Sequence, residues 1–296
     1  MLNICIPVYN YNINPLVKSL HEQCCIANTE FKIIVFEDGS NSEFVEINKA
    51  ISKYQEASHF ISEVNAGRSA ARNFLISKAD DGKILFIDCD SALPDNNYIK
   101  NYLHYFDKEV VCGGTMYLPT QKQPEHELRF KYGIKREMVP AKIRNLNPNK
   151  AFATNNFMAS KEIFNTVKFR EFLHKYGHED SLLGYELKMN SISISHIDNP
   201  VIHNGIEDNK VFLNKTEDGL KNLIIIENSS DIDNSFTKEI RVVNTYKKLK
   251  KYMLLWFPFC IYKIFKQIII KHLLHSKNPF LYLFDLYKFG YYCELN

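Results

Sequence analysis

Strand-type and helix-type segments alternate over the first ninety residues, and few folds accept that order. Residues 2–6 form a short β-leaning run that Pro7 stops. Residues 15–25 carry Leu16, Val17, Leu20 and Cys24 at helical spacing. Residues 31–36 read as a buried strand that ends in Glu37-Asp38-Gly39-Ser40. A second helix fits 43–54, and Phe60-Ile61 is a weak strand. Asn65-Ala66-Gly67-Arg68 reads as a turn before a helix over about 69–78. Residues 83–87 form another buried-type strand, which ends in Asp88-Cys89-Asp90. This order predicts a mostly parallel sheet with helices on both faces. Such sheets bind ligands beyond the carboxyl ends of their strands. The clusters Pro7-Tyr9-Asn10, Glu37-Asp38-Gly39 and Asp88-Cys89-Asp90 all fall at such ends, which predicts one shared site.

The rest of the chain is less regular. Residues 110–117 read as a strand broken by Gly113-Gly114, and 121–148 as a long polar loop with some helix. Glu179-Asp180 opens a plausible helix, 191–196 alternates as a strand, and Val201-Ile202-His203 follows. At 296 residues with 45% apolar content, the chain can bury a large core without disulfides or structural metal. Its seven cysteines form no CxxC pair, and the N-terminal run is no signal peptide. A reducing compartment is the simplest reading. Residues 238–296 hold eleven Lys and Arg against three Asp and Glu, so a basic, aromatic tail follows a mildly acidic body. The boundaries drawn from this are a body over 1–205, a helical connector over 206–237 and the tail over 238–296. The body divides again at about residue 110.

Asp88-x-Asp90 is the sharpest chemical signal. Two carboxylates at i and i+2 leave an extended strand on one side and repel unless a cation joins them. Oxygen ligands without thiolates suit Mg2+ or Mn2+ bound together with phosphate oxygens. A polar loop after a strand is the plainer explanation of the pair alone.

Five ordered motifs change that weighting. Ile6-Pro7-Val8-Tyr9-Asn10, Phe36-Glu37-Asp38-Gly39-Ser40, the stretch 65–73 with Gly67-Arg68 and Arg72-Asn73, Phe86-Ile87-Asp88-Cys89-Asp90 and Gly177-His178-Glu179-Asp180 follow one another. Together they resemble family 2 glycosyltransferases, which use nucleotide sugars and have the GT-A fold. The resemblance covers about residues 2–205, and it implies a nucleotide-binding half over about 1–110 and an acceptor and catalytic half over about 111–205. Glu37 departs from it, since a second aspartate is more usual there. The resemblance implies a Rossmann-like, mostly parallel mixed sheet flanked by helices, followed here by a helical tail.

By this resemblance, Pro7, Tyr9 and Asp38 form the nucleobase pocket, and Arg68 approaches the pyrophosphate. Asp90 holds a divalent ion, Mn2+ or Mg2+, while Asp88 contacts ribose or the ion's water shell, and His203 completes the metal site. Asp180 is implied as the general base of an inverting displacement, with Glu179 beside it. Gly114, Asn155 and Asn156 are weaker candidates for contacts with donor or acceptor sugar. The expected reaction moves a sugar from a UDP-sugar to a hydroxyl of a glycan or lipid-linked glycan. Two rivals stand beside it. A sugar-nucleotide nucleotidyltransferase would carry a glycine-rich loop after the first strand, where Pro7-Val8-Tyr9-Asn10 stands. A non-catalytic binding protein has no need of intact acids at Asp38, Asp88, Asp90 and Asp180.

In the tail, residues 252–262 carry no charge, but the run is short of the roughly 20 residues that span a bilayer. Lys263, Lys266, Gln267, Lys271 and His275 recur at steps of three and four, which predicts one polar stripe on an interfacial helix. Lys247, Lys248, Lys250 and Lys251 add a patch for anionic lipid. The expected location is the cytoplasm, at the inner face of the membrane. Nucleic acid is not an expected partner.

Overall fold

The computed structural model describes residues 1–173 and 177–296. In chain order the elements are β1 (Leu2–Val8), α1 (Asn14–Ile26), β2 (Phe31–Asp38), α2 (Ser42–Asn48), β3 (Ala57–Ser62), α3 (Arg68–Lys78) and β4 (Lys83–Ile87). There follow β5 (Ser91–Ala92), α4 (Tyr98–Leu103), β6 (Val110–Cys112), β7 (Thr115–Met116), α5 (Glu127–Tyr132), α6 (Ala141–Arg144) and β8 (Asn156–Ser160). The last are α7 (Glu179–Met189), β9 (Ile194–His196), β10 (Val201–His203), α8 (Asn209–Glu227), α9 (Asn234–Glu239), α10 (Arg241–Lys251), α11 (Trp256–His275) and α12 (Leu281–Leu295).

The chain divides into two units. The larger gathers Met1–Tyr117, residues 136–173 and Glu179–Gly205. Its seven-stranded sheet runs β3-β2-β1-β4-β8-β6-β9. β1 pairs in parallel with both β2 and β4, while β8 runs antiparallel to β4 and β6. Strands one to three step outward on one side of β1 and β4 lies on the other. The order therefore reverses between β1 and β4, where such sheets open a ligand crevice. A small second sheet, β5-β10-β7, follows the ends of β4 and β6.

Pleating sorts the core residues to the two faces. Leu2, Ile4, Ile6 and Val8 of β1 pack with Leu16, Val17 and Leu20 of α1 and Tyr98 and Tyr102 of α4. Cys5, between them, faces the other way, toward Ala71 and Leu75 of α3 and Leu183 and Leu187 of α7. Pro7 does not end β1. Pairing with β2 continues through Pro7↔Phe36 to Val8↔Glu37, while pairing with β4 stops at Cys5↔Phe86. The missing amide hydrogen lies past the last bond to β4, so it breaks no ladder. The expected break at Gly113-Gly114 is where the chain leaves β6 for β7 in the second sheet.

The second unit gathers Leu118–Lys135, residues 177–178 and Ile206–Asn296. Leu128 of α5 sits in one cluster with Phe212 and Leu213 of α8, Tyr262 and Leu273 of α11 and Phe284 of α12. Leu220 and Leu223 of α8 pack with Val243, Tyr246, Phe289 and Tyr292. Residues 206–237 are therefore no connector. α8 is the spine of the helical unit, and half of the irregular 121–148 stretch belongs there as well.

Candidate active site

β2 ends at Asp38, which the fold places at the carboxyl edge, 5% exposed. Its Oδ1 accepts from the amide of Ala66 at 2.7 Å and its Oδ2 from the amide of Gly67 at 2.9 Å. Both oxygens thus pin the turn that starts α3. Glu37 beneath it is fully buried. It accepts from Ser40 and from Asn48 at 2.7 Å, with His59 at 3.4 Å. Burial pushes its carboxyl up, yet hydrogen bonds from His59, Ser40 and Asn48 outweigh that and leave it below its ordinary value. Ser40 in turn accepts from the amide of Asn10 at 2.9 Å. The unusual Glu37 therefore fixes the loop after β1 through Ser40. Tyr9, in that loop, is 55% exposed at the edge of the crevice.

Across the crevice, β4 ends at Ile87 and the chain turns at once, with the Ser91 amide donating to the Asp88 carbonyl at 3.2 Å. The extended geometry expected for Asp88-x-Asp90 is absent, and the two carboxylates meet different partners. Asp88 Oδ1 accepts from Arg72 Nη2 at 2.8 Å. Asp90 Oδ1 lies 3.6 Å from His203 Nδ1. β10 brings His203 there by pairing His203↔Ser91. Gly205 closes the other side: a Cβ on it would stand 2.1 Å from Asp90 Oδ2.

This donor set fits a divalent ion only in part. Asp90 and His203 offer an oxygen and a nitrogen on adjacent segments, whereas Asp88 is committed to Arg72. Among the described residues no three His, Cys, Asp or Glu side chains gather as a ready cage. A hard cation there would take its remaining ligands from diphosphate and water, as Mg2+ commonly does.

Arg72 comes from the second turn of α3, and sequence reasoning left its role open. It is 1% exposed and lies over the Phe169 ring at 5.6 Å. Its Nε and Nη1 meet no hydrogen-bond acceptor among the described residues. Buried donors left unfilled are costly and rare. Arg68, at the first turn of α3, is half-exposed, and its Nη1 lies 4.0 Å from Glu179 Oε1.

Glu179 and Asp180 open α7, as their preference for a first turn suggests. Asp180 Oδ1 accepts from Thr154 Oγ1 at 2.5 Å. Desolvation, and then the Glu179 charge, raise the Asp180 carboxyl to about 6, against the opposing pull of Arg72. The Asp88 charge acts in the same upward direction, so Asp180, Arg72 and Asp88 share one electrostatic neighbourhood. Thr154 was missed because a lone threonine between strands carries no motif. Tyr11 was missed too. Burial, and then the Asp90 charge, push its phenol up, which sets it beside the β4 turn.

Three weaker candidates receive other duties. Asn156 is 1% exposed and fully used. Its Oδ1 accepts from Tyr98 and Tyr102 at 2.6 Å, and its Nδ2 donates to the carbonyls of Gly114 and Asn199. It has no group left for a sugar. Gly114 has a φ of +95°, and a Cβ there would stand 2.8 Å from Arg144 Nη2. That contact and the left-handed backbone explain the glycine without a sugar. Asn155 donates to Thr115 Oγ1 at 2.8 Å.

The sequence profile of glycosyl transferase family 2 matches residues 3–168. The chain belongs to this family. The match holds the β1, β2 and β4 ends, while Glu179, Asp180 and His203 lie beyond it. An uncharacterized glycosyltransferase of Haemophilus influenzae is 30% identical over 114 residues, 38% of this chain and 44% of that protein. The chain spans under a fifth of the other curated relatives it matches. Among solved structures, S. aureus TarS 1–349 covers the whole chain and 92% of its own at 15% identity, with a TM-score of 0.55. The mannosyltransferase PcManGT of Pyrobaculum calidifontis, solved with GDP-Man and Mn2+, covers 83% of this chain and 69% of its own at 12% identity and a TM-score of 0.56. The fold is GT-A, a mixed sheet flanked by helices with a helical C-terminal part.

Proposed function

We propose that this family 2 member transfers a sugar from a UDP-sugar to a hydroxyl of a glycan or lipid-linked glycan, with inversion at the anomeric carbon. One observation carries the reading: a proton-accepting carboxylate, Asp180, shares an electrostatic neighbourhood with the Arg72–Asp88 pair at the sheet's switch point. TarS has been solved with UDP-GlcNAc, which favours uridine at the equivalent edge. Tyr9 would pack on the base beside Pro7, and Asp38 would shape that pocket through the turn it pins. Arg72's two unfilled donors suit oxygens of the donor, and Arg68 stands nearby on the same helix. Asp90 and His203 would hold the divalent ion, which neutralises charge on the departing diphosphate when bound. Asp180 would take the acceptor's proton as its oxygen attacks, with Glu179 shaping the local charge. We place the reaction in the cytoplasm, where seven free cysteines stay thiols, at a membrane surface described below.

Calorimetry with a nucleotide panel, with and without Mn2+, tests the donor site. UDP binding that requires the metal and disappears in Asp90→Ala is expected. Metal-independent binding, or none, would overturn the assignment. Asp180→Asn should retain UDP binding and lose transfer.

A further inference from the structure

The helical unit carries an apolar face that its own packing leaves uncovered. α11 buries Tyr262, Ile269 and Leu273, and on its opposite side presents Phe257, Ile264 and Ile268, the last two 73% and 65% exposed. Of the polar stripe expected from sequence, Lys263, Gln267, Lys271 and His275 are exposed, and Lys263 and Lys266 pair with Glu294 of α12 at 2.7 and 2.8 Å. The apolar side chains expected to cover the rest of the helix are only partly buried, and Ile264 and Ile268 share the exposed side with Lys271. The face continues into the corner between α10 and α11, where Tyr252, Met253, Leu254 and Trp256 are all exposed.

Charge identifies what covers this face. From Arg241 to the middle of α12 the sequence holds no Asp or Glu until Asp285. Lys247 is neutralised by Glu227 at 2.7 Å. Lys248, Lys250 and Lys251 are exposed at the end of α10, directly before the apolar corner, and Lys271 and Lys277 are exposed at the far end of α11. None of these five has a carboxylate within ion-pair distance among the described residues. A two-fold contact between copies would set this positive rim against itself. Aromatic and aliphatic side chains rimmed by lysines match the headgroup zone of an anionic bilayer. No single helix among the described residues is long and apolar enough to cross a membrane, and α10 and α11 reach that length together only across a 120° bend.

We propose that the α10–α11 corner and the outer face of α11 dock on the surface of an anionic lipid bilayer, with Trp256 and Phe257 at the headgroup boundary and Lys248, Lys250 and Lys251 on the phosphates. The inference does not depend on the transferase reading, since it rests on the helical unit alone.

Trp256 is the chain's one tryptophan, so its fluorescence reports this corner without labelling. The full chain is mixed with phosphatidylcholine vesicles, alone or with about one third phosphatidylglycerol, and binding is read by co-sedimentation and by the emission maximum. Binding to the anionic vesicles with a blue shift is expected, weakened at least tenfold by added salt. The triple variant K248E/K250E/K251E and the variant F257S/I264S/I268S should each lose at least tenfold in binding. Both should keep wild-type UDP binding, which separates failure here from failure of the active-site reading. No vesicle binding at low salt overturns the proposal. So does binding that survives both sets of substitutions, or a dimer in light scattering that F257S/I264S/I268S splits while vesicles stay unbound.

Discussion

A carboxylate works as a base only once it has lost its proton. Asp180 titrates near 6 against an ordinary 3.8, so kcat/KM should fall on the acid side of about pH 6. Thr154 opposes the upward shift by donating to the charged form. Thr154→Val should therefore move the acid limb to higher pH and cut activity at pH 7 by about tenfold, the scale of a hydrogen bond to a charged group. Thr154→Ser should restore both. An unmoved pH profile in Thr154→Val would show that the threonine merely fills space. The same shift bears on stability. With its folded pKa raised, Asp180 holds its proton more tightly when folded, so its contribution is lost as pH rises from about 4 to 6. Asp180→Asn should then melt higher than wild type at pH 8 and close to it at pH 4.5. Equal differences at the two pH values would contradict the raised pKa. The sequence marked Asp180 through its place after Gly177-His178-Glu179. It gave no sign of Thr154 or Tyr11, because contacts across separate segments leave no local pattern.

At the scale of elements, the ends of β2 and β4 and the turn before α3 were legible, while the end of β1 and the turn after β4 were not. The runs that became β2 and β4 are apolar and bounded by acids, so their ends and the shared edge followed from composition and order. The turn after Ile87 did not. An i,i+2 acidic pair reads alike whether the backbone extends or turns, and only the turn sends Asp88 to Arg72 and Asp90 to His203. The α11 stripe was legible, since helical spacing fixes which residues share a face, but that Ile264 and Ile268 stay exposed beside it depends on how much of the helix α12 and α8 cover, which spacing does not show. Gly205 shows what the β10 end contributes. A methyl there collides with Asp90 Oδ2. Gly205→Ala should thus weaken metal-dependent UDP binding by at least tenfold and leave the melting temperature within a few degrees, because the site lies at a loop rather than in the core. Unchanged nucleotide binding would remove Asp90 from the proposed metal site.

At the scale of the whole molecule, Gly205 is a misleading place to cut the chain. The helical unit takes Leu118–Lys135 from the middle of the chain, and α5 reaches its core through Leu128. The Leu128 amide donates to Asn209 at 2.9 Å, and Arg129 lies 3.4 Å from Glu207. All four residues are buried or nearly so, and Asn209 and Glu207 lie after residue 205. A chain ended at Gly205 would leave α5 with its apolar side uncovered and the buried Arg129 without its carboxylate. The first consequence is the severe one: an exposed apolar patch promotes association, whereas Arg129, no longer covered by Phe212, would meet water. Such a chain should aggregate on expression, and adding Leu128→Glu and Arg129→Ser to it should recover soluble protein that still binds UDP. Soluble, monomeric 1–205 without those substitutions would mean that the sheet unit needs nothing from the helices. The tail would then be an attachment rather than the partner that completes α5.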